Sequence, residues 1–214
     1  MYRYFHTLRT ASTITMSNSS ETKRNKILKA AKELFGKQGY GTSMESISRL
    51  ADVSKQTVYS HFKNKDVLFE TCMKEKLEEY KSDTLIFDLN APIDEMLFRF
   101  GKRFHQTLLE PGAQHTYRNA ISQIDAHPEF AATYLELGPK ETLNTLASYL
   151  DAKAKEGIIN LDHSGSDTAI QLLLMLHGKA VYWLYLGEDI QESEEQQNSY
   201  LKNCVDMFLN HLRT

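Results

Sequence analysis

TSMESISRLADVSKQTVYSHFKNK, residues 42–65, is the stretch from which the rest of the chain can be read. Met44, Ile47, Leu50 and Ala51 fall at i, i+3, i+6 and i+7, an apolar stripe for a helix of about two turns. Thr42 and Glu45 have the spacing of a capping box, the hydroxyl accepting from the N–H three residues on and the carboxylate reaching back. Asp52 ends this helix at a position that needs a left-handed backbone, which Asp tolerates better than most non-glycine residues. Ser54 is a good N-cap for a second helix over 55–61, in which Val58 and Phe62 face inward. Lys55, Gln56 and Tyr59 then share the outward face, with Thr57 and Ser60 on its flank, and Asn64 can cap a further helix that opens with Lys65 and Asp66. Two short helices, a three-residue turn and an outward polar face are the layout of a helix-turn-helix, whose second helix lies in the DNA major groove.

The match to a known pattern starts earlier. Residues 27–69, ILKAAKELFGKQGYGTSMESISRLADVSKQTVYSHFKNKDVLF, closely resemble the tetracycline-repressor (TetR) family of bacterial transcription regulators. The resemblance is carried by the LF…GY.GTS join, the A.VS turn, the TVY.HF helix and the K.KD.LF entry to the next helix. One departure is Asp52, where the family usually has Gly. Further on, HPEFAATYLELGPKETLNTLASYLDAKAKEG, residues 127–157, and the helix after 167 resemble AefR-like C-terminal domains more weakly. The resemblance implies an all-α chain: a three-helix DNA-binding domain over 21–66 and a larger helical effector-binding and dimerisation domain over 67–214. It also implies a homodimer on double-stranded operator DNA that is released by a small-molecule effector.

Charge is distributed to match. Residues 21–65 carry ten Lys/Arg against four Asp/Glu, a net of +6, and Arg3 and Arg9 add two more positive charges before them. The −3 of the whole chain therefore leaves −11 on 66–214. A basic head on an acidic body suits a reader of phosphate whose other half must avoid nucleic acid. No stretch approaches the ~20 apolar residues that span a bilayer. The two cysteines, Cys72 and Cys204, are far apart and form no disulfide framework, which points to a reducing compartment, the cytoplasm. The eight His show no metal-ligand spacing, no catalytic constellation is found, and no cofactor is implied. Residues 1–20 are acid-free and Ser/Thr-rich. They have the bias of an organellar transit peptide, or lie upstream of a working start at Met16, and are expected to be poorly ordered.

Beyond the head the pattern is helical throughout. Helices are expected over about 21–38, 65–81, 92–109 and 113–126, and from 128 with a kink at Gly138-Pro139. Residues 167–187 are apolar nearly all round, and 194–213 carry a stripe of Leu201, Cys204, Val205, Phe208, Leu209 and Leu212. The resemblance makes these two helices the dimer interface, through Leu173, Leu176, Leu201, Val205, Phe208, Leu209 and Leu212; the same stripes could instead build the protomer core. Candidate effector-pocket residues are Phe100, Phe104, His105, Tyr117, Met175, His177 and Trp183, since aromatic and Met side chains line adaptable pockets, though they also fill ordinary helical cores. On DNA, Lys55, Gln56 and Tyr59 are expected to read base edges, and Thr42, Ser43, Thr57, His61 and Lys65 to hold phosphates. Two other classes are an effector-blind structural DNA-binding protein, which needs no pocket, and an all-α enzyme that uses the helix-turn-helix for packing.

Overall fold

The computed structural model describes the backbone of residues 10–82, 87–188 and 191–213, and their side chains apart from those of 10–20, 76–82 and 180. The fold is all-α, with no strand among the described residues. Its helices are α1 Thr10–Gln38, α2 Met44–Leu50, α3 Lys55–His61, α4 Lys65–Ser82, α5 Ile93–Leu109, α6 Pro111–Ser122, α7 Pro128–Leu135, α8 Glu141–Lys155, α9 Gly165–Tyr185 and α10 Glu194–Leu212. α1 begins ahead of the expected residue 21, and residues 1–9 of the expected loose extension lie outside the described residues. The chain separates into two compact units, residues up to Met73 and residues from Lys74, and the division falls within α4.

In the first unit, α1 lays Ile27, Leu28, Ala31 and Phe35 against Met44, Ile47, Val58, Phe62 and Leu68, all buried. Phe35, Tyr40 and Phe69 close one end of this core, with Phe69 meeting Phe35 and Tyr40 edge-on at 5.2 and 5.7 Å between ring centroids. Such edge-to-face pairs are favoured by the ring quadrupoles. Leu50, placed inward by its spacing, is exposed instead, so the buried stripe of α2 is Met44, Ile47 and Ala51.

The second unit is built on α5, α8, α9 and α10, whose inward faces form one core: Met96, Leu97 and Phe100, then Leu146 and Leu150, Leu172, Leu173 and Leu176, and Leu201, Val205, Phe208, Leu209 and Leu212. α5 comes close to α9 at Gly101, where even a methyl group would sit 2.9 Å from Leu176 Cδ2. Lys153 is buried, and its ammonium donates to the Leu89 carbonyl and to Glu156, tying α8 to the joint at 88–92. Between α7 and α8 the chain widens into a single π turn, Glu136–Lys140. Pro139 sits inside it. A proline lacks the N–H for the ladder and crowds the preceding turn, and the wider turn absorbs both defects. α6 ends at Ser122, short of the expected 126, and Ile121 and Ile124 are exposed.

The assignment of the apolar stripes to a dimer seam needs correction. Leu173, Leu176, Leu201, Val205, Phe208, Leu209 and Leu212 are all buried within one protomer and offer no surface to a partner. What α9 and α10 leave outside is a different set: Ile170, Leu174, Tyr182 and Trp183 on α9, and Tyr200 and Met207 on α10.

α9 is broken at Gly178, which has φ 61° and ψ 173°. That region of backbone space is essentially restricted to glycine. A break of this kind takes the ladder donors away from the carbonyls before it. Two of them are supplied from other helices: Tyr200 Oη donates to the Met175 carbonyl at 2.8 Å, and His105 Nδ1 pairs with the Leu176 carbonyl at 3.0 Å. Gly178→Ala would place Cβ 2.8 Å from Tyr200 Cε1 on top of the backbone strain. It is expected to cost about 1–3 kcal/mol, visible as a lower midpoint in thermal unfolding; an unchanged midpoint would show that the break is not required.

Candidate functional site

The candidate DNA-reading face is assembled from the local sequence of α2 to α4. Ser54 caps α3, its hydroxyl accepting from the Thr57 N–H at 3.1 Å and pairing with the Thr57 hydroxyl at 2.8 Å. Val58 and Phe62 point into the core. At 3.6 residues per turn this fixes Lys55, Gln56 and Tyr59 on the outer side, all exposed, Tyr59 by 45%. Asp52 holds the tight turn between α2 and α3 with φ 53°, the left-handed conformation expected of it. Asn64 caps α4 by accepting from the Val67 N–H at 2.8 Å.

The start of α2 differs from its reading in sequence. Ser43, not Thr42, is the N-cap, accepting from the Ser46 N–H at 3.0 Å. Thr42 is only 2% exposed, and its hydroxyl donates back to the Leu34 carbonyl at 3.2 Å and lies 3.4 Å from Gln38 Oε1. Its side chain therefore serves the α1–α2 joint and offers nothing to a phosphate, whereas the exposed Ser43 hydroxyl sits at the helix N-terminus where anions are favoured. Thr57 and His61 are half-buried along α3. Lys65 is pinned: its ammonium donates to the Tyr40 carbonyl at 2.9 Å and lies 4.1 Å above the Tyr40 ring. Lys65→Ala is accordingly expected to lower stability by about 1 kcal/mol, besides any effect on DNA; an unchanged unfolding midpoint would count against this anchoring role.

In the second unit the candidate effector residues divide. Phe100 is a core residue, stacked on Phe104 at 5.9 Å and tilted against Phe87 at 5.3 Å. His105 is buried on the Leu176 carbonyl, and Met175 packs against the core. Trp183 does not join them: it is 42% exposed and pairs with the exposed Tyr182. Phe104, His177 and Tyr117 do come together, through a residue the spacing did not single out. Tyr185 stacks on Tyr117 at 4.5 Å and meets His177 edge-on at 6.3 Å, while His177 meets Phe104 at 5.8 Å. Tyr134 of α7 completes the group, 6.4 Å from Tyr117. The signal for Tyr134 and Tyr185 was present as aromatic residues on partly buried helices, but only the break at Gly178 brings Tyr185 to α6. Burial holds the His177 imidazole below its ordinary pKa, helped by nearby His105 and opposed by the Leu173 carbonyl. Burial, with Tyr117 adding, pushes the Tyr134 hydroxyl up to about 12, and burial raises Tyr185 also. No group of three or more His, Cys, Asp or Glu among the described residues is placed to hold a metal ion.

Comparison with known proteins gives two adjoining family matches. Residues 27–72 match the bacterial regulatory proteins of the tetR family, and residues 95–213, more than half the chain, match the AefR-like transcriptional repressor C-terminal domain. The chain belongs to the TetR family. These are transcription regulators rather than enzymes, and members bind operator DNA through the helix-turn-helix and dimerise. The chain is 29% identical over 140 residues to the HTH-type transcriptional regulator YhgD of Bacillus subtilis (strain 168), covering 62% of this chain and 67% of that one. Among solved structures, the flavonoid-responsive regulator FrrA is 27% identical with a TM-score of 0.77, over 88% of this chain and 96% of its own. A TetR-family regulator from Mesorhizobium loti MAFF303099 is 26% identical at the same TM-score, over 90% and 97%. No helix of the described residues is long and apolar enough to cross a membrane.

Proposed function

We propose that this TetR-family regulator is a homodimeric repressor, acting in the cytoplasm, that a small and largely apolar effector releases from its operator. The observation that carries the DNA-binding part is the outer face of α3, where Lys55, Gln56 and Tyr59 are exposed on a helix anchored by buried Val58 and Phe62. In this reading Gln56 makes a bidentate pair with adenine, Tyr59 packs on a thymine methyl, and Lys55 takes a guanine edge or phosphate. Ser43 and Thr57 hold phosphates beside helix N-termini, with His61 and Lys65 at the flank. Residues 21–66 serve as the DNA-binding domain and 67–214 as the effector and dimerisation domain.

Dimerisation is supported by Ile170, Leu174 and Met207, three apolar side chains exposed on two helices that lie side by side. α10 hydrogen-bonds α9 from Tyr200 and Cys204 to the Met175 carbonyl, which places Leu174 and Met207 on adjoining helices. A two-fold pair of heads doubles the groove contacts and matches a palindromic site. Effector control is supported by the ring cluster of the second unit and by the small-molecule response in FrrA's name. An effector that prefers the released form by about 1–3 kcal/mol changes operator affinity about 5- to 150-fold. The test is a titration of duplexes flanking the chain's own gene against random duplex at several salt concentrations. Tight binding to one flanking duplex, with a steep salt dependence on both, is expected; equal affinity for all duplexes would leave only a non-specific DNA-binding protein.

A further inference from the structure

A helix that stops and restarts has a local cause, and in α9 the cause is one residue. The segment 165–185 holds no proline, and Gly178 is its only glycine past the first position. Glycine weakens a helix but does not by itself break one. The phase of the segment shows what the break does. Leu176 is fully buried, and an uninterrupted helix brings Trp183 to the same face after seven residues, about two turns. The same helix turns Val181 and Tyr185 away, five and nine residues on. The structure shows the reverse. Val181 is buried, Tyr185 is half-buried and stacked on Tyr117 of α6 at 4.5 Å, and Trp183 lies at the surface with Tyr182 and Leu186. The break therefore exchanges one inward set of large side chains for another.

We propose that α9 is a two-state element, in which 179–185 turns about Gly178 between the broken form seen here and an uninterrupted helix with Trp183 inward. The inference goes beyond the effector reading above and does not rest on it. The broken form is propped by neighbouring helices. Tyr200 of α10 donates to the Met175 carbonyl at 2.8 Å, and its ring lies against Gly178, where a Cβ would sit 2.8 Å from Cε1. His105 of α5 pairs with the Leu176 carbonyl at 3.0 Å. In the uninterrupted form those two carbonyls take their ladder donors back, from residues 179 and 180. The Tyr200 hydroxyl is thus worth more in the broken form, where the Met175 carbonyl has no ladder donor, than in the other. Each form has its own gain. The broken form gains the Tyr185–Tyr117 stack, and the uninterrupted form gains two ladder bonds and the cover of Trp183. Two packings of one sequence so matched are the basis of a switch. What it moves is α6. The segment 179–185 holds α6 through Tyr185 on Tyr117 and through the Leu184 carbonyl, which accepts from Arg118 at 3.4 Å. Turning the segment releases both contacts.

The test is the fluorine spectrum of the full chain carrying 5-fluorotryptophan, which reports Trp183 alone because it is the only tryptophan. Wild type is expected to give a major resonance that shifts between light and heavy water, as an exposed ring does, and a minor one that does not. Tyr200→Phe keeps the ring and removes only the prop. It is expected to raise the minor-to-major ratio about three- to tenfold. Gly178→Ala, which holds the broken backbone only under strain, is expected to make the solvent-shielded resonance the main one, with helix content by circular dichroism retained. The proposal is overturned if Trp183 gives a single solvent-exposed resonance in wild type and in both variants. It is equally overturned if the variants pass directly from the wild-type resonance to that of the unfolded chain, since the break would then have no folded alternative.

Discussion

Leu174→Glu and Met207→Glu are expected to yield a folded monomer, while Phe208→Glu yields no folded protein. The contrast follows from burial. Leu174 and Met207 are 65% and 66% exposed, so a carboxylate there costs the protomer little and is intolerable only against a partner. Facing its two-fold mate in an apolar seam, it would be a desolvated charge without a counter-ion. Phe208 is buried against α5 and α9. Removing a buried Phe costs about 3–5 kcal/mol, and leaving an unpaired charge there adds about as much, together comparable to the ~5–15 kcal/mol that holds a domain folded. Sedimentation with circular dichroism separates these outcomes. Operator affinity should fall by about 100-fold or more for the monomeric variants, because each head then binds its half-site alone. A Leu174→Glu dimer of unchanged operator affinity would move the interface off α9.

Tyr59→Ala is expected to weaken operator binding by about 1–3 kcal/mol per half-site while leaving random DNA nearly untouched. Tyr59 takes no part in the core and has no role in a cap, so truncation removes a contact surface and leaves the head folded. Lys55→Ala is the contrast: its exposed ammonium should contribute to both kinds of DNA, and its loss should flatten the salt slope by about one unit per lost phosphate contact. Equal losses on operator and random duplex for Tyr59→Ala would remove Tyr59 from the base-reading set.

How much of this was legible in the sequence depends on the range of the force involved. The α2–α3 turn, the Ser54 and Asn64 caps and the left-handed Asp52 are decided by neighbours within four residues, and their sequence signals identify them. The α2 cap was misplaced by one position because Thr42 and Ser43 are adjacent hydroxyls and only the path of the chain from α1 decides which is buried. The stripes on α9 and α10 say that Leu176 and Phe208 are covered, but a stripe is silent about whether the cover comes from the same chain or another. Trp183 shows a third limit. It lies seven residues after the fully buried Leu176, the same face of an unbroken helix, yet the turn at Gly178 resets the phase and sends it to the surface. Tyr185 takes the inward position, which is why the ring cluster could be only half drawn from spacing.

The central claim is that α3 reads sequence. Selection of bound duplexes from a random library by the full-length protein, repeated with Tyr59→Ala and Gln56→Ala, tests it most directly. The account predicts enrichment of an inverted repeat by the wild type, with the preference at one symmetric pair of positions lost in each variant. Enrichment of no sequence, or the same repeat undiminished in both variants, would contradict it.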